Sequence, residues 1–276
     1  MRVYYRYLCL WFVLLLTSCS TGYHQLTQLP VTIDNCEVGC PTGGSVQTLV
    51  RESYTLNNNS DSKFANWVAY KITKASQASG RPRDWKQDPA LPQADTLPPD
   101  AYINANALLG VDRGHQAPLA GLGGASDWQS LNYLSNITPQ KSDLNQGAWV
   151  RLEAKERELA NRSDVTAVYS VTGPLFERHI ATLPADPSVE IPSAYWKIIF
   201  IGVSPDKGQY AAFLMDQTTP KSANFCDYQV TVDLIESKTN PKLTIWSSLP
   251  ANVSALIKAT KGTLANEMGC SVSTSI

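Results

Sequence analysis

The chain has 276 residues, 43% apolar and 17% charged, with a formal charge of −1 from 23 basic and 24 acidic side chains. It is long enough to bury a full core in one or two domains, and too apolar for a disordered chain. The near-zero charge excludes a protein that coats nucleic acid with a broad basic surface.

Arg2 and Arg6 precede a nine-residue apolar run, Leu8 to Leu16. Nine residues are too few to cross a bilayer and suit the core of a signal peptide. The following Leu16-Thr17-Ser18-Cys19 resembles a bacterial lipobox, in which the Cys becomes the acylated first residue. An ordinary signal peptide cut near Ser18 is the alternative. Ser20, where an Asp would direct inner-membrane retention, favours the outer membrane. The expected organisation is a signal peptide over 1–18, a polar tether over 19–35 and one domain over 36–276. Loss of 1–18 leaves 21 basic against 24 acidic residues, a charge of −3.

Export would leave Cys36, Cys40, Cys226 and Cys270, an even number suited to an oxidising compartment. Sequential pairing, Cys36–Cys40 and Cys226–Cys270, is the simplest of three connectivities. The second bridge would close a loop of about 45 residues, worth about 4 kcal/mol by chain entropy. A zinc site is the competing reading, weakened by the absence of a repeated short Cys spacing and of a nearby His.

β-branched and aromatic enrichment predicts strands over Val46–Leu56, Phe64–Thr73, Val165–Thr172, Trp196–Val203, Tyr210–Asp216 and Tyr228–Val232. Asn57-Asn58-Asn59-Ser60 reads as a hairpin turn. The Pro- and Asp-rich Gly80–Asp100 reads as a long surface loop, a common place for function. Good helix formers predict a helix over Asp143–Leu159, capped by Ser142 or Asp143. A shorter helix is expected over Ala251–Ala259, with Val253, Leu256 and Ile257 on one face. Strands toward both ends with helical material between them predict an α+β fold on a mainly antiparallel sheet.

Only three His occur. His24 falls in the tether and His179 in a loop stretch. His115, in Asp112-Arg113-Gly114-His115, is the candidate neutral-pH base, although a buried structural His is the commoner role for an isolated one. Gly114 would let the backbone turn and bring the ring to a substrate.

That motif is followed by Ser135-Asn136-Ile137-Thr138-Pro139-Gln140 and by Asp143-Leu144-Asn145-Gln146-Gly147-Ala148-Trp149. Together these resemble the DNA/RNA non-specific endonuclease family, the ββα-metal nucleases, and within it the secreted, sugar-non-specific Serratia-type branch. The similarity extends from about Cys36 to Cys270. It includes Thr55–Asn59, Phe64–Tyr70, Gly173-Pro174-Leu175 and Ile191–Lys197. The resemblance implies His115 as general base and Asn145 as the sole direct protein ligand of a hydrated Mg²⁺, for which Mn²⁺ should substitute. It implies Glu153 acting on that ion through water and Arg83 stabilising the transition state. Arg113, Arg157 and Asn136 are implied as further site residues, and Asp112 as an orienting acid.

The residues also have plainer readings. Asn145 suits a helix cap, and Glu153 a solvated helix face or an ion pair with Arg157. Arg81 and Lys86, beside Arg83, read as further phosphate contacts. DNA and RNA are the implied substrates, cut to 5′-phosphate products, with a homodimer as the implied assembly and the membrane as a partner through Cys19. A silent nucleic-acid-binding lipoprotein and a small-molecule phosphodiesterase are the competing functions. The full set of His115, Asn145, Glu153 and Arg83 weighs against the first, and the Arg-rich loop at 81–86 against the second.

Overall fold

The computed structural model describes residues 35–270. The signal segment, Cys19, His24 and the tether up to residue 34 lie outside the described residues. Asn35 already belongs to the folded part: it is buried, and its amide donates to the Arg51 carbonyl at 2.8 Å.

Nine strands concern the site: β1 (Thr48–Val50), β2 (Thr55–Asn59), β3 (Phe64–Ile72), β4 (Val111–His115), β5 (Ile137–Lys141), β6 (Val168–Leu175), β7 (Ala194–Gly202), β8 (Gly208–Asp216) and β9 (Gln229–Val230). Seven of them form one sheet in the order β9-β8-β7-β6-β3-β2-β1, and every neighbouring pair is antiparallel. The central strands alternate between two buried faces, so the sheet is covered on both sides. In β7, Tyr195, Ile199 and Ile201 pack toward helix α1 (Val150–Ala160). Trp196, Ile198 and Phe200 pack the other way, against α2 (Val232–Lys238) and Trp246. The expected α+β fold on an antiparallel sheet is what the chain forms.

Several local expectations need correction. The segment 46–56 is not one strand: β1 and β2 are separated by a bend at Arg51–Tyr54. Asn57 and Asn58 are not a turn but buried strand residues of β2. Their amide nitrogens are engaged there: Asn57 donates to the Ser45 carbonyl at 2.8 Å, and Asn58 to the Asp95 carbonyl at 2.9 Å. The expected strand over Tyr228–Val232 is only the two-residue β9, and Val232 already opens α2, whose N-terminus Thr231 caps by accepting from the Leu234 N–H. A third helix, α3 (Ala251–Lys258), occurs where expected, yet Leu256 on it is exposed and Lys258 is buried against Glu236 at 2.8 Å.

The cysteines pair Cys36–Cys40 and Cys226–Cys270, which excludes the zinc reading. Gly80–Asp100 is a long loop holding short 3₁₀ turns at Gln93–Asp95 and Pro99–Tyr102 and a single bridge between Lys86 and Tyr133.

Candidate active site

A two-stranded hairpin lies outside the large sheet. Strands β4 and β5 pair in antiparallel register, His115 opposite Ile137 and Asp112 opposite Gln140. Gly114 does not turn the chain; it sits inside β4, where a Cβ would lie 2.5 Å from Gln140 Oε1. The glycine therefore serves close approach between the strands.

β5 leads directly into the long helical segment. A first turn, Ser142–Leu144, is followed by a π turn over Asn145–Trp149 and then by α1. Neither Ser142 nor Asp143 caps this segment: Lys141 takes the cap position, and the Ser142 hydroxyl donates to Asp112 Oδ1 at 2.8 Å. The π turn has a steric cause. Gly147 has φ −109° and ψ −115°, and a Cβ there would stand 2.8 Å from Lys221 Cα. The Lys221 segment is held against the turn by Arg151, which donates to the Lys221 carbonyl at 2.8 Å. Such π bulges recur at functional sites because they re-aim side chains.

Hairpin, π turn and α1 border a cavity of about 710 Å³ lined by Arg83, Asp112, Arg113, His115, Asn145, Glu153 and Arg157, with Trp85 and Tyr102 in its wall. Seven residues singled out from the sequence thus converge on one cavity.

Asp112 organises the metal-ligand candidate. Its carboxylate accepts from Asn106 at 2.8 Å, Ser142 at 2.8 Å, Asn145 at 3.0 Å and Gln146 at 2.8 Å. Burial pushes its pKa up, but these bonds, led by that from Asn145, outweigh burial and hold it below the usual carboxylate range. Because Asn145 Nδ2 is engaged by Asp112, Asn145 Oδ1 is left as an open oxygen donor on the cavity side. Asn145 is thus not a side-chain cap.

His115 is oriented by Asn132, a residue the sequence reading passed over. His115 Nε2 lies 3.2 Å from Asn132 Oδ1, and Asn132 Nδ2 donates to the Pro82 carbonyl at 3.1 Å. A carbonyl can only accept, so the Pro82 bond sets the amide and leaves Asn132 Oδ1 facing the ring. Nε2 must then donate, and Nδ1 carries the free lone pair. Burial is the main cause that lowers the His115 pKa, to about 4, with Arg83 adding to it and the Asn132 bond opposing. The ring is therefore a neutral base at pH 7. Trp85 packs beside it, ring centres 5.3 Å apart.

Glu153 lines the floor of the cavity. Burial raises its pKa to about 7, and the Glu156 charge adds to the rise, while Lys197, Arg157 and the Trp149 indole oppose it. A cation in the cavity would reverse that rise.

Arg83, on the exposed rim, and Arg157 have no hydrogen-bonded side-chain partner among the described residues, so both are available to an anion. Arg113 is partly committed: it donates to the Pro99 carbonyl at 2.9 Å and lies over Tyr102 and Trp85 at 5.0 and 5.7 Å.

Other expected site residues fall elsewhere. Asn136 is fully buried outside the cavity lining. It accepts from the Ala117 N–H at 2.8 Å and donates to the Leu131 carbonyl at 2.9 Å, which holds the chain just after His115. Arg81 turns away, donating to the Gly123 carbonyl at 2.7 Å over the Trp128 ring. Lys86 pairs with Asp84 at 2.7 Å in solvent. His179 is an exposed residue 3.4 Å from Glu190.

A hairpin bearing a neutral His, running into a helix that bears an open amide oxygen with arginines around both, is the ββα arrangement of metal-type nucleases. The family comparison agrees: the profile of the DNA/RNA non-specific endonucleases matches residues 32–252. The chain is 63% identical over 241 residues to a nuclease of Serratia marcescens, covering 87% of this chain and 90% of that one. It is 28% identical over 249 residues to a nuclease of Nostoc sp., covering 82% and 88%. A solved structure of the EndoG/EndoGI complex shares the fold, with a TM-score of 0.61 at 22% identity over 78% of this chain and 90% of that one. The chain belongs to the DNA/RNA non-specific endonuclease family, in which it lies with the Serratia-type nuclease.

Proposed function

We propose that the protein hydrolyses phosphodiester bonds in DNA and RNA, single- and double-stranded, leaving 5′-phosphate and 3′-hydroxyl ends, with Mg²⁺ as its resident ion. The observation that carries this reading is the convergence of His115, Asn145, Glu153 and three arginines on one cavity.

The donor set fits Mg²⁺. No cluster of three or more His, Cys, Asp or Glu occurs among the described residues. A hydrated hard cation needs no such cluster, only one or two oxygen donors and retained waters. Asn145 Oδ1 would hold it directly and the Glu153 carboxylate through water, and Mn²⁺ should substitute. Bound there, the ion neutralises charge that builds on the leaving 3′-oxygen.

The chain's own groups do the rest. His115 Nδ1 takes the proton of the attacking water, while Asn132 holds the ring. Arg83 and Arg157 donate to phosphate oxygens, where a guanidinium offers two parallel bonds. Arg113 supports the wall formed by Trp85 and Tyr102. None of these groups reads a base edge or a 2′-hydroxyl, which accounts for indifference to sequence and sugar.

We further propose that the protein is exported, as an outer-membrane or periplasmic lipoprotein anchored through Cys19, or secreted to the medium. The two disulfides support an oxidising compartment. Labelled palmitate entering wild type but not Cys19→Ala supports the anchor; equal release of both to the medium refutes it. A homodimer is the proposed assembly, testable by light scattering.

Supercoiled plasmid and an RNA transcript test the function. Both should be cut with Mg²⁺ and spared in EDTA, and the new 5′ ends should accept kinase label only after phosphatase treatment. Cutting that persists in EDTA, or 3′-phosphate ends, would refute the reading.

A further inference from the structure

Glu156 sits on α1 one turn beyond Glu153, turned toward the sheet and fully buried. A buried carboxylate is tolerated only when its oxygens are bonded. Here Oε1 accepts from Tyr70 at 2.8 Å and Ser170 at 2.5 Å, and Oε2 accepts from the Lys197 ammonium at 2.8 Å. These partners belong to β3, β6 and β7, three consecutive strands of the sheet. Lys197 is equally buried and lies over the Trp149 ring at 4.9 Å and the Tyr70 ring at 5.5 Å. Burial and the Glu156 charge push the Tyr70 phenol far above its usual range, so it remains a donor.

No group of this network lines the cavity or touches the reacting groups in the chemistry proposed above. The hydrophobic term that packs a helix on a sheet is non-directional. Charge-assisted bonds to three strands are directional. We propose that Glu156 is a positioning residue: by tying α1 to three adjacent strands it fixes the rotation and advance of the helix. With them it fixes the reach of Glu153 and Asn145 into the cavity. Lys197 is its counter-ion and shares the role. The inference rests on the cation reading of the site.

Mn²⁺ titration followed by electron paramagnetic resonance tests it, with cooperative unfolding as the check on folding. Glu156→Leu/Lys197→Met removes both charges, so no buried ion is left unpaired. It should fold cooperatively, bind Mn²⁺ about 10-fold or more weakly, and lose kcat with little change in KM for DNA. Tyr70→Phe/Ser170→Ala keeps the ion pair and removes two of the three ties, and it serves if the first variant does not fold. It should weaken Mn²⁺ binding by about threefold or more, a part of the loss expected for a ligand-orienting partner. Folded variants that bind Mn²⁺ and turn over as wild type does would overturn the proposal. A wild type that binds no Mn²⁺, like an Asn145→Ala control, would instead refute the cation reading.

Discussion

Replacing Asp112 by Ala isolates what the carboxylate does for Asn145. Four donors lose their acceptor, but only the bond from Asn145 Nδ2, at 3.0 Å, fixes the amide that offers its oxygen to the cation. A hydrogen bond to a charged group contributes about 1.5–3 kcal/mol, and that is what holds Asn145 for its proposed role as cation ligand. Asp112 is half-buried, so water can replace part of it, and the low end, about 1.5 kcal/mol, applies. That corresponds to about a tenfold loss of the correctly set amide. Mn²⁺ affinity should therefore fall by about 10-fold, at the bottom of the range for groups that orient a metal ligand. Asp112→Asn should recover most of it. Its new NH₂ can turn to Ser142, whose hydroxyl can accept, and its oxygen then stays on Asn145, while the bond from Asn106 on the Ser142 side is lost. The assay is Mn²⁺ titration paired with plasmid cutting across Mg²⁺ concentrations. Wild-type Mn²⁺ affinity in a folded Asp112→Ala protein would refute the orienting role.

Three other perturbations have defined outcomes. Asn132→Asp places a carboxylate at His115 Nε2, which favours the imidazolium and raises a pKa now at about 4. The acid limb of kcat/KM should move to higher pH, and an unmoved limb would contradict the assignment of His115 as base. Gly147→Ala sets a Cβ 2.8 Å from Lys221 Cα and O; overpacking of about 1–3 kcal/mol should lower Tm by about 2–12 °C. An unchanged Tm would mean that the π turn does not depend on that contact. Replacing Cys226 and Cys270 by Ala, residues 44 apart, should cost about 4 kcal/mol, read as the drop in unfolding free energy in urea.

The large sheet was legible because β3 and β7 are runs of β-branched and aromatic residues, and β8 an apolar run around Tyr210 and Phe213, all long enough to need two buried faces. Asn57 and Asn58 were misread because turn chemistry and strand burial of Asn look alike until the partners are known, and Ser45, Gln47 and Asp95 are distant in sequence. The interruption of the helix at Gly147 was hidden for the same reason: its cause is Lys221.

His115 was legible as a candidate base because the chain has only three His, Asn145, Glu153 and Arg83 only from the family resemblance, and the structure brings all four to one cavity. Asn132 was not. Leu131-Asn132-Tyr133-Leu134-Ser135-Asn136 offers two Asn, neither charged, and nothing local separates the one that orients His115 from the one that braces the backbone. Arg81 and Arg83 pose the same problem, since only the Gly123 carbonyl and Trp128 show which guanidinium is already engaged.

The proposed chemistry divides labour within one cavity, with the base on β4 and the cation ligand at the π turn. The most direct test measures Mn²⁺ affinity and plasmid cutting together in His115→Ala and Asn145→Ala. His115→Ala should keep wild-type Mn²⁺ affinity while its rate falls about 10²–10⁴-fold, and Asn145→Ala should lose the ion and the rate together. A His115→Ala protein that cuts as wild type does, or an Asn145→Ala protein that keeps its Mn²⁺, would contradict that division.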